Sequence, residues 1–139
     1  MKFITDFADL AVIIPLSLVA AAMLGLTGWW RGAIVWLLAI CVPLAIMALL
    51  KLALFACGPV RIGELVQSPS GHTASAAIVY GGLTGLIALR QGAGLVPALL
   101  PAPIAAALIG LSRLALDVHT LPEVLIGGAI GCAGAAAML

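Results

Sequence analysis

The chain has 139 residues, of which 65% are hydrophobic and 8% are charged, with a mean hydropathy of +1.32. A soluble globular domain carries about a quarter charged residues, so this composition excludes an ordinary soluble protein. The length fits a single integral membrane domain over residues 1–139, and the net charge of +1 gives no reason to expect a nucleic-acid partner.

Five apolar segments follow one another along the chain and predict an all-α bundle of transmembrane helices. Their approximate bounds are Leu10–Gly28, Gly32–Cys57, Thr73–Leu89, Gly92–Leu111 and Leu121–Leu139. Each approaches or exceeds the roughly 20 apolar residues that cross a bilayer. The fourth contains Pro97, Pro101 and Pro103, and we expect one kinked helix there. The chain start lacks the flanks of a signal peptide, so we expect the first helix to be retained.

An odd number of spans assigns the connections to two faces of the membrane. The connections 58–71 and 112–120 share one face with the N-terminus, whereas Arg31, Arg90 and the C-terminus share the other. We call these the site face and the plain face. Chemically versatile side chains therefore converge on the site face, although hydropathy does not require it: Lys51, Ser70, His72, Arg113 and His119.

The basic residues give a prediction of orientation. Three cations are set aside as candidate ligand-binding groups: Lys51, Arg61 and Arg113. Arg31 and Arg90 then outweigh Lys2, and the positive-inside rule places the site face outside. Trp29 and Trp30 beside Arg31 fit an interfacial aromatic belt. We expect a protein of the bacterial inner (plasma) membrane with an extracytoplasmic site.

The segment Ser70-Gly71-His72-Thr73 opens the third apolar segment directly after Pro69. Ser70 is a natural N-cap, and the free amides of a helix start bind anions. Gly71 lets the backbone approach a phosphate closely, and His72 could donate a proton to a leaving oxygen. The alternative is an ordinary capped helix with an interfacial histidine.

A second group of polar residues lies between the fourth and fifth segments. Arg113 could bind phosphate oxygens through two N–H groups, and neutral His119 is a nucleophile for phosphorus. Glu123 follows His119 by one helical turn, so its carboxylate could accept the ring N–H and fix the tautomer. Pro122 is compatible with a first helical turn. The alternative is an Arg–Glu pair at the membrane edge with a snorkelling histidine.

Lys51 stands among leucines near the end of the second apolar segment. An ammonium group there either snorkels to the interface or meets an anion. With Arg113 nearby, it would supply the second cation of a phosphate site.

Together these residues resemble the type 2 phosphatidic acid phosphatase family, which is related in its core to vanadium haloperoxidases. The family pattern is Lys-x6-Arg-Pro, then Pro-Ser-Gly-His, then Ser-Arg-x5-His-x3-Asp. This chain has Lys51 with Pro59 at the matching distance, the full Pro69–His72 motif, and Ser112-Arg113 followed by His119 at the family spacing. The resemblance extends from Lys51 to about Gly131.

The resemblance implies a metal-independent lipid phosphate phosphatase that uses no cofactor. It implies that His119 is the nucleophile, that His72 is the general acid, and that Glu123 orients His119. The phosphoryl oxygens would be held by Lys51, Ser70, Gly71 and Arg113. The implied substrate is a lipid phosphate or diphosphate of the phosphatidate or polyprenyl diphosphate type.

The chain departs from the family pattern in two side chains and in length. Gly58 replaces the arginine of the first motif, and Glu123 replaces the aspartate of the third. Arg61, three residues after Gly58, could supply the missing ligand or could be a solvated loop charge. Family members commonly have six helices, and this chain shows five apolar segments.

Two further functions are kept as alternatives to the phosphatase. The first is a catalytically weak or inactive member that binds a phospholipid or polyprenyl phosphate. The second is a scaffold bundle, because Gly127-x3-Gly131 favours tight helix packing or a homo-oligomer interface. The partners we expect are the lipid substrate and membrane lipids.

Overall fold

The chain folds into helices and one short, mostly exposed hairpin, as shown by a computed structural model that describes residues 5–139. The elements are α1 (Leu10–Leu26), α2 (Trp30–Cys57), β1 (Val60–Ile62), β2 (Glu64–Val66), α3 (Gly71–Arg90), α4 (Leu95–Ala115) and α5 (Leu121–Ala136). The predicted helical bundle is confirmed. Lys2, which entered the orientation argument, lies outside the described residues.

The lengths and surfaces of the helices suit a bilayer. Helices α2, α3 and α4 have 28, 20 and 21 residues and are apolar enough to cross a membrane, while the apolar helices α1 and α5 have 17 and 16 residues. Large apolar side chains point outward, with Leu18 58% exposed, Phe55 89% and Leu108 61%. Soluble monomers rarely expose such extended apolar surface. The protein is therefore membrane-embedded.

Helix α4 is kinked where its prolines are. The helical segment Leu95–Leu99 is followed by Pro101–Ala115. Pro101 has no N–H to donate to a preceding carbonyl, so the regular hydrogen bonding is interrupted there. Gly85 of α3 packs against the carbonyl oxygen of Ala98, a contact that leaves no room for a Cβ. One span with an interruption at Leu100 is present, and Gly85 on the neighbouring α3 lets Ala98 approach closely.

Small residues on α5 bring this helix against α3 in the centre of the bundle. A Cβ on Gly127 would collide with the backbone of Ser70, and one on Gly131 would collide with Ala74 and Ala77. Both glycines are buried. The sequence predicted either tight helix packing or a homo-oligomer interface for this Gly-x3-Gly pair. The pair lies in a tight contact between two helices of the same chain.

The two connections on the site face are more ordered than the sequence suggested. Strands β1 and β2 pair antiparallel with Val60 opposite Val66, and Gly63 makes the turn with φ +71°. Helix α4 continues to Ala115, so Arg113 belongs to its last turn instead of to a loop. A rigid helix therefore carries Arg113, and a hairpin occupies the segment predicted as an irregular connection.

Candidate active site

Ser70 is the N-cap of α3, as its sequence position predicted. Its Oγ accepts the Thr73 backbone N–H at 3.4 Å and the Thr73 Oγ1–H at 2.9 Å. Ser70 is fully buried. Because Thr73 uses the lone pairs of Ser70 Oγ, the hydroxyl proton of Ser70 remains available to donate. The first backbone N–H groups of α3 have no acceptor among the helix carbonyl groups, and that of Thr73 bonds Ser70 Oγ instead.

Glu123 connects three segments of the site through its carboxylate. Its Oε2 lies 2.7 Å from His119 Nδ1 and accepts the Thr120 N–H at 3.2 Å. Its Oε1 accepts the backbone N–H groups of Gln67 and Ser68, each at 2.7 Å. A carboxylate can only accept, so His119 Nδ1 carries the proton and Nε2 keeps its lone pair. The extra methylene of glutamate, compared with aspartate, lets one side chain reach both His119 and the preceding loop.

A backbone hydrogen bond also joins Ser70, before α3, to Glu123 in the first turn of α5. Ser70 N donates to the main-chain oxygen of Glu123 at 3.0 Å. Gly127 lies one turn further along α5 and gives Ser70 room to make this contact. The start of α3 and the start of α5 are therefore held together next to His119.

His72 lies within the electrostatic field of the other candidate residues. The charges that act on its ring come from Arg113, Asp9, His119 and Lys51. Its Nε2 is 4.0 Å from Asp9 Oδ2, and its side chain is 31% exposed. The structure thus brings both histidines and both cations to one end of the bundle.

Arg113 has a buried donor that no described residue satisfies. Its Nε lies out of contact with solvent and without a hydrogen-bond partner within residues 5–139. Leaving a buried charged donor unpaired costs about 1–3 kcal/mol or more. Such a group, whose charge acts on the ring of His72, is a place where an anion would bind.

Lys51 approaches the first turn of α3 from helix α2. Its Nζ lies 3.6 Å from the position that a Cβ on Gly71 would take. A Cβ there would meet the ammonium group at an ordinary van der Waals distance, so Lys51 lies beside the first turn of α3. The ammonium group and the first amides of α3 could therefore hold the same anion.

Arg61 lies apart from the other candidates. It is exposed on strand β1, opposite Leu65, and it is not among the charges that act on His72. Helix α2 ends at Gly58, which has φ +89° and ψ 164°. This conformation is essentially restricted to glycine, and it directs the chain into the hairpin. The structure therefore does not bring Arg61 to the position of the missing arginine.

Three clefts adjoin these residues. One of about 570 Å³ is lined by His119, Glu123, Gln67 and Ser68, and it extends to Glu64 of the hairpin. A second of about 570 Å³ shares Gln67 and Ser68 and adds residues of α2 and its end, among them Lys51 and Gly58. A third of about 460 Å³ lies between α1, α2 and α3 and contains Lys51, Gly71 and His72. The polar residues thus border space large enough for a phosphorylated ligand.

Sequence reasoning missed three residues that the structure places here. Gln67 and Ser68 contribute backbone amides, which no side-chain pattern could have indicated. Asp9 stands directly before the first apolar segment, and no motif of the sequence assigned it to the site. Its position as an N-cap could have suggested an ordered carboxylate.

Comparisons with known proteins show which family the chain belongs to. Neither the curated proteins nor the solved structures provide a match to the chain. A family model described as the PAP2 superfamily matches residues 32–139, which include all of the candidate site residues except Asp9. The match covers well over half of the chain, and we conclude that the protein belongs to the PAP2 superfamily.

Proposed function

We propose that the protein hydrolyses a lipid phosphate or diphosphate through a phosphohistidine on His119. Membership of the PAP2 superfamily supports a phosphatase-type function in general. The observation that carries the proposal is the buried Arg113 Nε without a partner in residues 5–139, on a guanidinium whose charge acts on His72 together with His119 and Lys51. A phosphoryl group supplies oxygens for these donors and an electrophile for His119.

The proposed chemistry has two steps. In the first, His119 Nε2 attacks phosphorus, the bond from phosphorus to the leaving oxygen breaks, and His72 gives a proton to that oxygen. In the second, water attacks the phosphohistidine while His72 takes a proton from the water. Glu123 holds His119 in the tautomer that leaves Nε2 free. Proximity and charge stabilisation by the donors of the site dominate catalysis of phosphoryl transfer.

Four groups are proposed to hold the phosphoryl oxygens. Lys51 and Arg113 supply positive charge, and Arg113 can donate through two N–H groups. Ser70 contributes its hydroxyl proton, and the backbone at Gly71 contributes amides at the positive end of the α3 dipole.

The surroundings favour a lipid substrate. Apart from its polar end at Lys51 and His72, the cleft between α1, α2 and α3 is lined mainly by apolar side chains such as Ile14, Leu44 and Met47. A phosphate bound by Lys51 could therefore keep its hydrocarbon tail in this cleft. Access from the bilayer suits an amphiphile better than a small water-soluble ester.

The alternative is a family member that binds a lipid phosphate without turnover. The specific observation in its favour is Gly58, because its backbone conformation is incompatible with the arginine of the family motif. The phosphate site then lacks one cation that other members have.

Phosphate release from purified protein tests the proposal. Wild type and His119→Ala are compared in detergent on phosphatidate, lysophosphatidate and polyprenyl diphosphates, with ³²P labelling to trap the phosphohistidine. Release by wild type and its loss in His119→Ala would support the enzyme. Equal release by both would exclude His119 as nucleophile. Tight binding of a labelled lipid without release would favour the alternative.

We also propose that the site faces the extracytoplasmic side of a bacterial inner membrane. Arg31 and Arg90 mark the plain face as the cytoplasmic one under the positive-inside rule. Fluorescent-protein and alkaline-phosphatase fusions to the C-terminus test this orientation. A fluorescent C-terminal fusion agrees with it, whereas active alkaline phosphatase at the C-terminus contradicts it.

A further inference from the structure

The segment before α1 is fastened to the helices that carry the candidate site. Residues 5–9 precede the family match, which begins at residue 32. Three hydrogen bonds attach the segment to α3 and α4. They join Thr5 Oγ1 to Ser112 Oγ at 2.9 Å, Ser75 Oγ to Ala8 O at 3.1 Å, and Tyr80 OH to Phe7 O at 2.7 Å.

These attachments are buried next to the site residues. Ser75 follows His72 by one turn, Ser112 directly precedes Arg113, and both serines are 1% exposed. Ala8 is also 1% exposed and packs against Ala76 and Ile109. The two serine hydroxyls also bond the main-chain oxygens of His72 and Ile109 in their own helices. Their bonds to the segment add to the packing of Ala8, and together these contacts tie the segment to the site helices.

The segment ends at Asp9, whose two carboxylate oxygens have different neighbours. Oδ1 accepts the Ala11 N–H at 2.9 Å, which caps α1, and Oδ2 lies 4.0 Å from His72 Nε2. The cap fixes the orientation of the side chain, so the second oxygen is directed at the imidazole without further cost in side-chain freedom.

The charges facing His72 come from every element packed around it. Burial of the ring opposes a positive charge on it, and so do Arg113 on α4, His119 before α5 and Lys51 on α2. Of the described groups that act on the ring, Asp9 is the one with a negative charge. A general acid must hold a proton before the reaction begins, and three cationic or protonatable neighbours work against that.

We propose that Asp9 is a further positioning residue, which favours the imidazolium form of His72 that donates a proton to the leaving oxygen. This inference rests on the proposed phosphatase function. It assigns a role in the reaction to a segment outside the region that matches the family. The bound proton passes from His72 to the leaving oxygen, and His72 recovers one from the attacking water in the second step.

Asp9→Asn tests the proposal, because asparagine caps helices as well as aspartate and lacks the charge. On phosphatidate, a poor leaving group, kcat should fall about tenfold, a fraction of the contribution of a general acid. On p-nitrophenyl phosphate, a good leaving group, kcat should change less than about twofold. The KM should not rise, since a negative charge near the phosphate is removed. Asp9→Glu should recover part of the loss.

Asp6→Asn is the matched control. It removes the same charge three residues earlier, and Asp6 is exposed and is not among the charges acting on His72. It should leave both substrates unaffected. If Asp9→Asn lowers kcat equally for both substrates, or raises KM, Asp9 has a merely structural role and the proposal is overturned. Should Asp9→Asn fail to fold, Asp9→Ser also caps α1 and serves the same test.

A second measurement does not require activity. The chain has two histidines, so ¹⁵N-histidine labelling gives two ring systems, assigned with His72→Gln. Over a pH titration, Asp9→Asn should lower the pH at which the His72 ring nitrogens change from imidazolium to neutral imidazole shifts, and leave the transition of His119 in place. An unchanged His72 transition would overturn the role of Asp9 even if the enzyme is active. A changed spectrum in a protein without turnover would refute only the phosphatase function.

Discussion

The two ends of the bundle both carry cations next to an apolar interior, but they accommodate them differently. At the plain face, the Arg31 guanidinium lies 5.7 Å from the Trp30 ring centre, and that of Arg90 lies 5.4 Å from the Trp29 ring centre. At the site face, Lys51 and Arg113 form no ion pair within residues 5–139. Aromatic rings satisfy the first pair of cations, while the second pair is left for a ligand.

This difference shows how similar residues serve different purposes. A cation at the membrane interface is stable beside an indole ring, and this contact contributes about 0.5–1 kcal/mol at exposed sites. A buried guanidinium nitrogen is unfavourable when it has no hydrogen-bond acceptor. We expect a bound anion to supply that acceptor.

The largest effect should come from His119→Ala. Loss of a nucleophile lowers kcat by at least about a thousandfold, whereas the fold should be retained with a lowered thermal unfolding midpoint, because the partly buried hydrogen bond between His119 Nδ1 and Glu123 is lost. Phosphate release and a thermal melt measure the two quantities. Turnover equal to wild type would show that His119 takes no part in the reaction. The proposed difference in function between the two ends would then be lost.

Arg113→Ala and Arg90→Ala compare the two ends directly. Loss of a charge-assisted phosphate contact costs about 1.5–3 kcal/mol, so kcat/KM should fall roughly 10- to 150-fold in Arg113→Ala. Arg90→Ala should leave kcat/KM within about twofold and lower stability by at most about 1 kcal/mol, since it loses a cation–π contact. If both variants lose activity alike, Arg113 has no special relation to the substrate.

Glu123→Asp gives this chain the aspartate of its family. The shorter carboxylate cannot reach both His119 and the amides of Gln67 and Ser68. We expect the free energy of unfolding to fall by about 1–3 kcal/mol, because at least one buried hydrogen bond to a charged group is lost. The kcat should fall about tenfold if the His119 contact is the one that weakens. Chemical denaturation and steady-state kinetics measure these effects, and unchanged values in both would show that the longer side chain is unnecessary.

Gly58→Arg tests whether the family arginine can simply be restored. The positive φ at Gly58 makes any side chain unfavourable, so Gly58→Arg and the control Gly58→Ala should both lose about 1–2 kcal/mol of stability. Gly58→Arg should therefore not raise kcat. Arg61→Ala should change activity less than about twofold, as expected for a solvated charge. A strong gain in kcat for Gly58→Arg would mean that the end of α2 rearranges so that the new arginine reaches the phosphate.

Much of this molecule could be predicted because its signals are local. Apolar segments located all five helices within a few residues, since burial in lipid requires continuous apolar stretches. Ser70 was identified as an N-cap from its own residue type and position. The alternation of faces predicted which polar residues approach one another, because the topology of a bundle follows from the number of its spans.

Other features depend on contacts between residues far apart in the chain. The exposure of Arg61 follows from the backbone at Gly58 and from the pairing of β1 with β2. The assignment of Gly127 and Gly131 to packing within the chain follows from the approach of α3. Neither the backbone angle nor the approach of a helix is encoded in the spacing of the residues concerned.

The sequence by itself determined that the chain is a membrane-embedded helical bundle with a phosphatase-like set of motifs on one face. These conclusions needed residue types, spacing and hydrophobic continuity. Only the tertiary structure decided that Glu123 holds both His119 and the loop at Gln67 and Ser68, that Arg113 Nε has no partner, and that Asp9 faces His72. Such contacts follow from the packing of complete helices, which fixes the distance between residues that are remote in sequence.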